Sequence, residues 1–328
     1  MFDKPGSAAD RRSDSVARLP CFRLPLHLKQ VGAGKHRSGW PAVIECLRHY
    51  HHPDAVVLDD FVERSFRDPA TARPWREPWV GIFHHPPDLP AWFDPSARLQ
   101  AIISTRAFRA SLRHLKGAIA LCEYSGNWLR TRLPCPVLVL KHPTEVATLA
   151  FSIAQWEARA RPVVQVGWYA RNVRAIFQVE VPEGFRKILL MQDRFAKAIE
   201  LTDQFSPHRK RPWSGEVDIV RRLTNLEYDE LLASSLIFNE YWDVSASNTI
   251  VEAIARSTPL LVNRHPAIEE YLGRGYPLFF EELREVRGIL ADPARMREAW
   301  QYLLQMDKEW LSITNFARDV AGFVRSVD

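Results

Sequence analysis

Cysteine is scarce in this chain. The four residues, Cys21, Cys46, Cys122 and Cys135, show no C-x-x-C spacing. That speaks against a structural zinc site and a disulfide framework, and it fits a reducing, cytoplasmic setting. Long apolar runs are missing as well, and none approaches the ~20 residues that span a bilayer. The opening stretch MFDKPGSAADRRSDSVARLP lacks an apolar centre. Residues 1–20 therefore read as a disordered lead-in, neither signal peptide nor anchor. No short fixed-period repeat, collagen-like run or long low-complexity tract occurs, which sets aside solenoids and fibres.

What is present is ordinary for a soluble globular chain with room for two domains: 328 residues, 46% hydrophobic and 25% charged. The formal charge of +5 and the pI of about 9.1 favour anionic ligands or an anionic membrane surface. No nucleic-acid partner is expected. Eleven tryptophans serve packing first, although aromatic-rich clefts also suit carbohydrates.

From Leu24 to Leu140 short apolar runs alternate with helical patterns, which implies a parallel sheet covered on both faces. Expected strands are Leu24–Val31, Ala55–Leu58, Trp79–Phe83, Ala118–Cys122 and Val137–Leu140. Expected helices are Trp40–Tyr50, Phe108–Leu115 and Ser125–Leu133. The glycine-rich loop 32–39 resembles a P-loop but fails its spacing, because no glycine stands five residues before Gly34 and His36 follows Lys35. Trp79–Phe83 runs into His84-His85-Pro86-Pro87. A histidine at the carboxyl end of a parallel strand can serve as a general base or contact a sugar, or it can simply be a hydrogen-bonded structural residue.

The second half repeats the pattern beyond a mixed link at residues 145–161. Strands are expected at Pro162–Gly167, Arg186–Met191, Val217–Val220, Leu236–Phe238, Leu260–Val262 and Pro277–Phe280. Thr224-x-x-Glu227 and Thr249-x-x-Glu252 each have the form of a capping box. Phe205–Gly215, FSPHRKRPWSG, is a basic loop bracketed by prolines, either solvated or in contact with acidic lipid or a polyanion. The stretch 236–273 reads as strand, polar loop, short helix, strand. Its helix start aims free N–H groups and a positive dipole end beyond the sheet, where a phosphate would be held.

That stretch resembles the donor-binding segment of GT-B-fold glycosyltransferases, through Ser245-Ala246-Ser247-Asn248, Glu252 and Pro259. Gly167, Arg171 and Arg174 resemble the glycine and basic residues that follow an earlier strand in the same enzymes. The resemblance implies an α/β fold of two Rossmann-like domains facing a cleft, with a C-terminal helix crossing back to the first domain. The implied division is an acceptor domain at 21–150, a nucleotide-sugar domain at 151–305 and a crossing helix at 306–328. It implies a bacterial nucleotide-sugar-dependent enzyme of the retaining type. Glu252 would hold the donor ribose, and Arg171, Arg174 and the N–H groups of Ser247, Asn248 and Thr249 the diphosphate. His84, His85 or Asp243 would face the sugar or the acceptor. Many retaining members carry an acid eight positions before the ribose glutamate; here that position is Val244, with Asp243 beside it.

No D-x-D sequence occurs, which favours a site without a metal, where arginines and helix N–H groups neutralise the leaving diphosphate. No cofactor is expected beyond the nucleotide-diphosphate-sugar as donor substrate. The acceptor would be a carbohydrate or lipid-linked hydroxyl, and contact with the inner face of an anionic membrane would be peripheral. Two other readings stay open: a nucleotide-sugar epimerase of the same layout, and a catalytically silent GT-B-like binding protein, which the missing acid at Val244 favours. Glu252 also has a competing role as the capping-box glutamate.

Overall fold

The computed structural model describes residues 21–25, 39–191, 195–207 and 209–328. The glycine-rich loop up to residue 38 and most of the expected strand Leu24–Val31 lie outside them.

Two separate sheets carry the chain. The first has strands β1 (Val57–Asp59), β2 (Trp79–Phe83), β3 (Leu115–Ala120) and β4 (Val137–Val139) in that order, all parallel. The second is six-stranded, in the order β10-β9-β8-β5-β6-β7. Its strands are β5 (Pro162–Val166), β6 (Arg186–Met191), β7 (Asp218–Arg221), β8 (Leu236–Asn239), β9 (Leu260–Asn263) and β10 (Phe279–Phe280). All its pairs are parallel too. The order reverses beside β5 and β8, so the loops after these two strands open at a topological switch point, where ligands of open α/β sheets bind.

β2 and β6 occupy the expected bounds, because both are short apolar runs framed by polar or proline-rich sequence. The Thr224–Glu227 capping box forms around the helix Asn225–Ser234. Other expectations need correction. The strand placed at Ala118–Cys122 begins at Leu115. Cys122 instead caps the next helix, Glu123–Arg130, its sulfur accepting from the Ser125 N–H. The helix expected over Phe108–Leu115 begins earlier, at Arg106, capped by Thr105, and ends at Ser111 in a 3-10 turn, Leu112–His114, before Leu115 opens β3; a separate helix, Leu99–Ser104, precedes it.

The helix Ile313–Val327 crosses back to the first sheet. Apolar residues recur every three or four positions, and Phe316, Ala317, Val320, Ala321 and Val324 are buried with Trp40, Val43, Ile44, Leu47, Leu58 and Ile119 of the first half. Each large side chain in that seam contributes about 1.5–3 kcal/mol. In the opposite sense, Leu89, Phe93 and Ala97, which follow β2, are buried in the core of the second sheet.

Candidate functional site

The loops after β5 and β8 are zipped together by backbone bonds. Asn172 N–H donates to Glu240 O at 2.8 Å and Trp242 N–H to Ala170 O at 2.9 Å. Arg171 and Tyr241 form an antiparallel bridge. Gln165, buried in β5, fixes the first loop from below by donating to Asn172 O and accepting the Ile176 N–H. This scaffold delivers Arg171 to the start of the helix Asn248–Arg256. Its Nη2 donates to Ser247 Oγ at 2.9 Å, Thr249 Oγ1 at 3.0 Å and Tyr241 OH at 3.2 Å.

Arg171 is 8% exposed, its Nε has no hydrogen-bond partner, and no carboxylate of the described residues pairs with it. A buried cation whose partners are hydroxyls, the Tyr169 carbonyl and the Tyr241 ring, with no carboxylate among the described residues, carries a desolvation cost that an anion would relieve. Gly167 makes room for it. Its φ is +81°, and a Cβ there would stand 2.3 Å from Arg171 Nη1, so both the backbone and the guanidinium require glycine.

Ser247, not Thr249, is the N-cap of this helix, and its side chain makes no cap bond because its Oγ is held by Arg171. The capping box expected from Thr249 and Glu252 is therefore absent; Thr249 is already inside the first turn. The first backbone bonds come from the Ile250 and Val251 N–H groups to Ser247 O. The N–H groups of Asn248 and Thr249 precede them, next to Arg171. Asn248 is exposed, and Ser247 and Thr249 are buried. Glu252, 2% exposed, accepts a hydrogen bond from Tyr228 OH at 2.6 Å. Burial first, and then that carboxylate, raise the Tyr228 pKa well above the usual phenol value.

Arg174 does not join Arg171. It forks onto Asp203, with Nε 2.8 Å from Oδ1, and lies over the Trp213 ring at 5.1 Å. The two histidines part as well. His84 stacks on Phe61 at 3.8 Å and meets the edge of Trp40 at 4.3 Å, and its Nε2 bonds Asp60 O. Burial holds its pKa well below the ordinary imidazole range; with a ring face on Phe61, its Trp40 edge contact and Nε2 on a carbonyl, its ring is engaged in packing. His85 Nδ1 lies 2.7 Å from Ala97 O and 3.3 Å from Tyr169 OH. A carbonyl accepts only, so Nδ1 carries a proton, and Nε2 is the nitrogen left facing away from it.

Asp243, 1% exposed, is fully engaged. It accepts the Asp88 N–H of the first half at 2.6 Å, its neighbour Val244 N–H, and His265 Nε2 at 2.9 Å. His265 Nδ1 accepts the Ala267 N–H, so the ring is the Nε2–H tautomer, neutral and donating to Asp243. Tyr124 of the first half sets its ring against His265 at 4.8 Å and donates to the Asp88 carboxylate.

Asp88, Tyr124 and His265 were not among the sequence candidates. The only signal for His265 was the HP step that opens the helix Pro266–Leu272, and Asp88 and Tyr124 give no local one. Further bonds across the two halves run from Glu123 N–H to Glu270 and from Tyr271 OH to Leu121 O. Among the described residues no group of three or more His, Cys, Asp or Glu could hold a metal ion, and no helix is long and apolar enough to cross a membrane.

The chain matches no protein-family model and no curated protein sequence. Solved structures do share its architecture. Anabaena HepE in complex with UDP and glucose superposes with a TM-score of 0.60 at 14% identity, over 87% of this chain and 82% of that one. Sucrose-phosphate synthase from Thermosynechococcus elongatus gives 0.58 at 12% identity, over 76% and 68%. An E. coli trehalose-6-phosphate structure bound with UDP-2-fluoro glucose gives 0.52 at 10% identity, over 88% and 78%. The chain has the two-domain GT-B fold of these structures, as the sequence led one to expect.

Proposed function

We propose that this protein is a glycosyltransferase that moves a sugar from a nucleotide-diphosphate-sugar to an acceptor hydroxyl. The observation that carries the reading is the buried Arg171, without an anionic partner and with a free Nε, set against the start of the helix Asn248–Arg256 at the switch point of the second sheet. A diphosphate there would receive the guanidinium and the Asn248 and Thr249 N–H groups, which stabilise the charge of the leaving group without a metal ion. Glu252, oriented by Tyr228, takes the ribose. His85 is the candidate base, through Nε2. Asp243 closes the cleft by holding the Asp88 N–H and is kept in place by His265. Arg174 is left on Asp203.

The neighbouring HepE structure holds UDP and glucose, which supports a UDP-type donor. The acceptor is a carbohydrate or lipid-linked hydroxyl, reached in the cytoplasm with peripheral contact at an anionic membrane. A silent binding protein is the second reading, favoured by Val244 and by the full engagement of Asp243. A panel of nucleotide-sugars, scored first by thermal stabilisation and then by release of nucleoside diphosphate with and without added acceptors, tests both. A binder at 100 Kd should stabilise by about 2.7 kcal/mol. Stabilisation without release supports the second reading, and no stabilisation by any nucleotide ends the first.

A further inference from the structure

The surface beside the donor loops carries an exposed aromatic and basic loop that the transfer reaction does not use. Trp213 is 63% exposed and Phe205 46% exposed. Trp213 is nonetheless held in place. Its ring packs on Phe177 at 5.0 Å, Arg174 lies over it at 5.1 Å, and the Ser214 N–H is fastened to Phe177 O at 2.7 Å. A tryptophan fixed on one side and open on the rest is presented, not merely left over from packing.

Arg209 and Lys210 next to it are exposed. The nearby acids Asp203 and Glu240 are taken up by Arg174 and Arg211, which leaves Glu216 as the only acidic residue of the stretch 205–217. An exposed Trp and Phe flanking exposed cations that no carboxylate of the described residues pairs with match the bilayer interface: the rings sit at headgroup depth and the cations meet anionic lipid. The chain's charge of +5 has the complementary sign.

We propose that Phe205, Arg209, Lys210 and Trp213 form a docking surface for an anionic lipid bilayer. It carries the mouth of the donor site with it, since Arg211 of the same loop is bonded to Glu240, which also accepts from Asn172 beside Arg171. The proposal rests on the peripheral membrane contact of the function proposed above and assigns it to this loop; it stands whether or not the protein turns over a donor.

Co-sedimentation of the full chain with vesicles of pure phosphatidylcholine, and with vesicles holding a third phosphatidylglycerol, tests it. Wild type should sediment with the anionic vesicles only. R209A/K210A should weaken that binding by roughly 25-fold, about fivefold per cation, and Trp213→Ala should weaken it while leaving the binding of a soluble polyanion such as heparin unchanged. Matched melting curves exclude unfolding as the cause. Failure of wild type to sediment, variants that sediment as well as wild type, or a heparin loss equal to the vesicle loss on Trp213→Ala would each overturn the bilayer assignment, the last in favour of a polyanionic partner.

Discussion

Replacing Arg171 by Met keeps most of the stem and removes the charge. In the unliganded protein the change deletes bonds to Ser247, Thr249 and Tyr241, but Tyr241 OH and Ser247 Oγ already lie 2.8 Å apart and remain bonded to each other. The Thr249 hydroxyl and the Tyr169 carbonyl, which also accepts from Arg171, are left short, at about 1–2 kcal/mol each. Against that stands the relief of burying a guanidinium without a counter-ion, on the order of several kcal/mol. The melting temperature of Arg171→Met should therefore stay level or rise. With a nucleoside diphosphate bound the balance reverses. Charge-assisted bonds are worth about 1.5–3 kcal/mol each, so losing one should weaken binding by roughly 10- to 150-fold, and losing two by more. The bare nucleoside, which has no phosphate to lose, should bind within about threefold of wild type. Isothermal titration with both ligands, beside a calorimetric melt, reads all three quantities. A variant that melts far below wild type and loses both ligands in equal proportion would make Arg171 a strut between loops and remove the phosphate site.

Gly167→Ala meets a φ of +81° and a guanidinium 2.3 Å away. It should cost at least about 1–2 kcal/mol in chemical denaturation and lower diphosphate affinity by pushing Arg171 aside; an unchanged affinity would show that the two residues are independent. Glu252→Gln keeps an acceptor for Tyr228, so stability should hold while ribonucleotide affinity falls and the gap to the dideoxy analogue narrows, as measured by titration. An unchanged ribose preference takes Glu252 out of the site. His142 is buried, and that burial lowers its pKa to about 4. Below about pH 6.5 the unfolded chain binds a proton that the folded one does not, so this group's contribution is present above pH 6.5 and is lost as pH falls towards 4. At full extent it is about 3 kcal/mol. Asp59, raised by burial to about 6, works in the opposite direction below pH 6. The test is therefore the difference between wild type and His142→Asn in urea unfolding at pH 7 and pH 5: wild type should lose more on acidification, and equal losses would refute the assignment.

The fold was legible where a short-range pattern decided it. β2 and β6 are apolar runs with clear ends, and Thr224 and Glu227 need only each other. The helix Ile313–Val327 shows its apolar stripe in sequence. The site was legible in part. Gly167, Arg171 and Ser247 do meet, since a glycine before a basic loop and a polar loop before a helix are both local signals. What failed was set by distant partners. Arg171 takes the hydroxyl of Ser247, so the capping arrangement read from Thr249 and Glu252 never forms. Arg174 pairs with Asp203, 29 residues on. His84 is drawn into a stack with Phe61 and Trp40 whose members give no periodic sign of meeting. Asp243 looks free in sequence, yet it is bonded to a backbone N–H 155 residues away.

The helix Ile313–Val327 also orders the events of synthesis. It lines the core of the first sheet, yet it is translated only after every strand of the described residues in both sheets. Until then Trp40, Ile44, Leu47 and their neighbours lack the apolar face that covers them. The half made first therefore finishes last, whereas domains made from the N-terminus usually complete in order of emergence. During that interval the nascent chain displays a hydrophobic seam of its own, and truncation anywhere before residue 313 would leave that seam permanently open to chaperones and to aggregation.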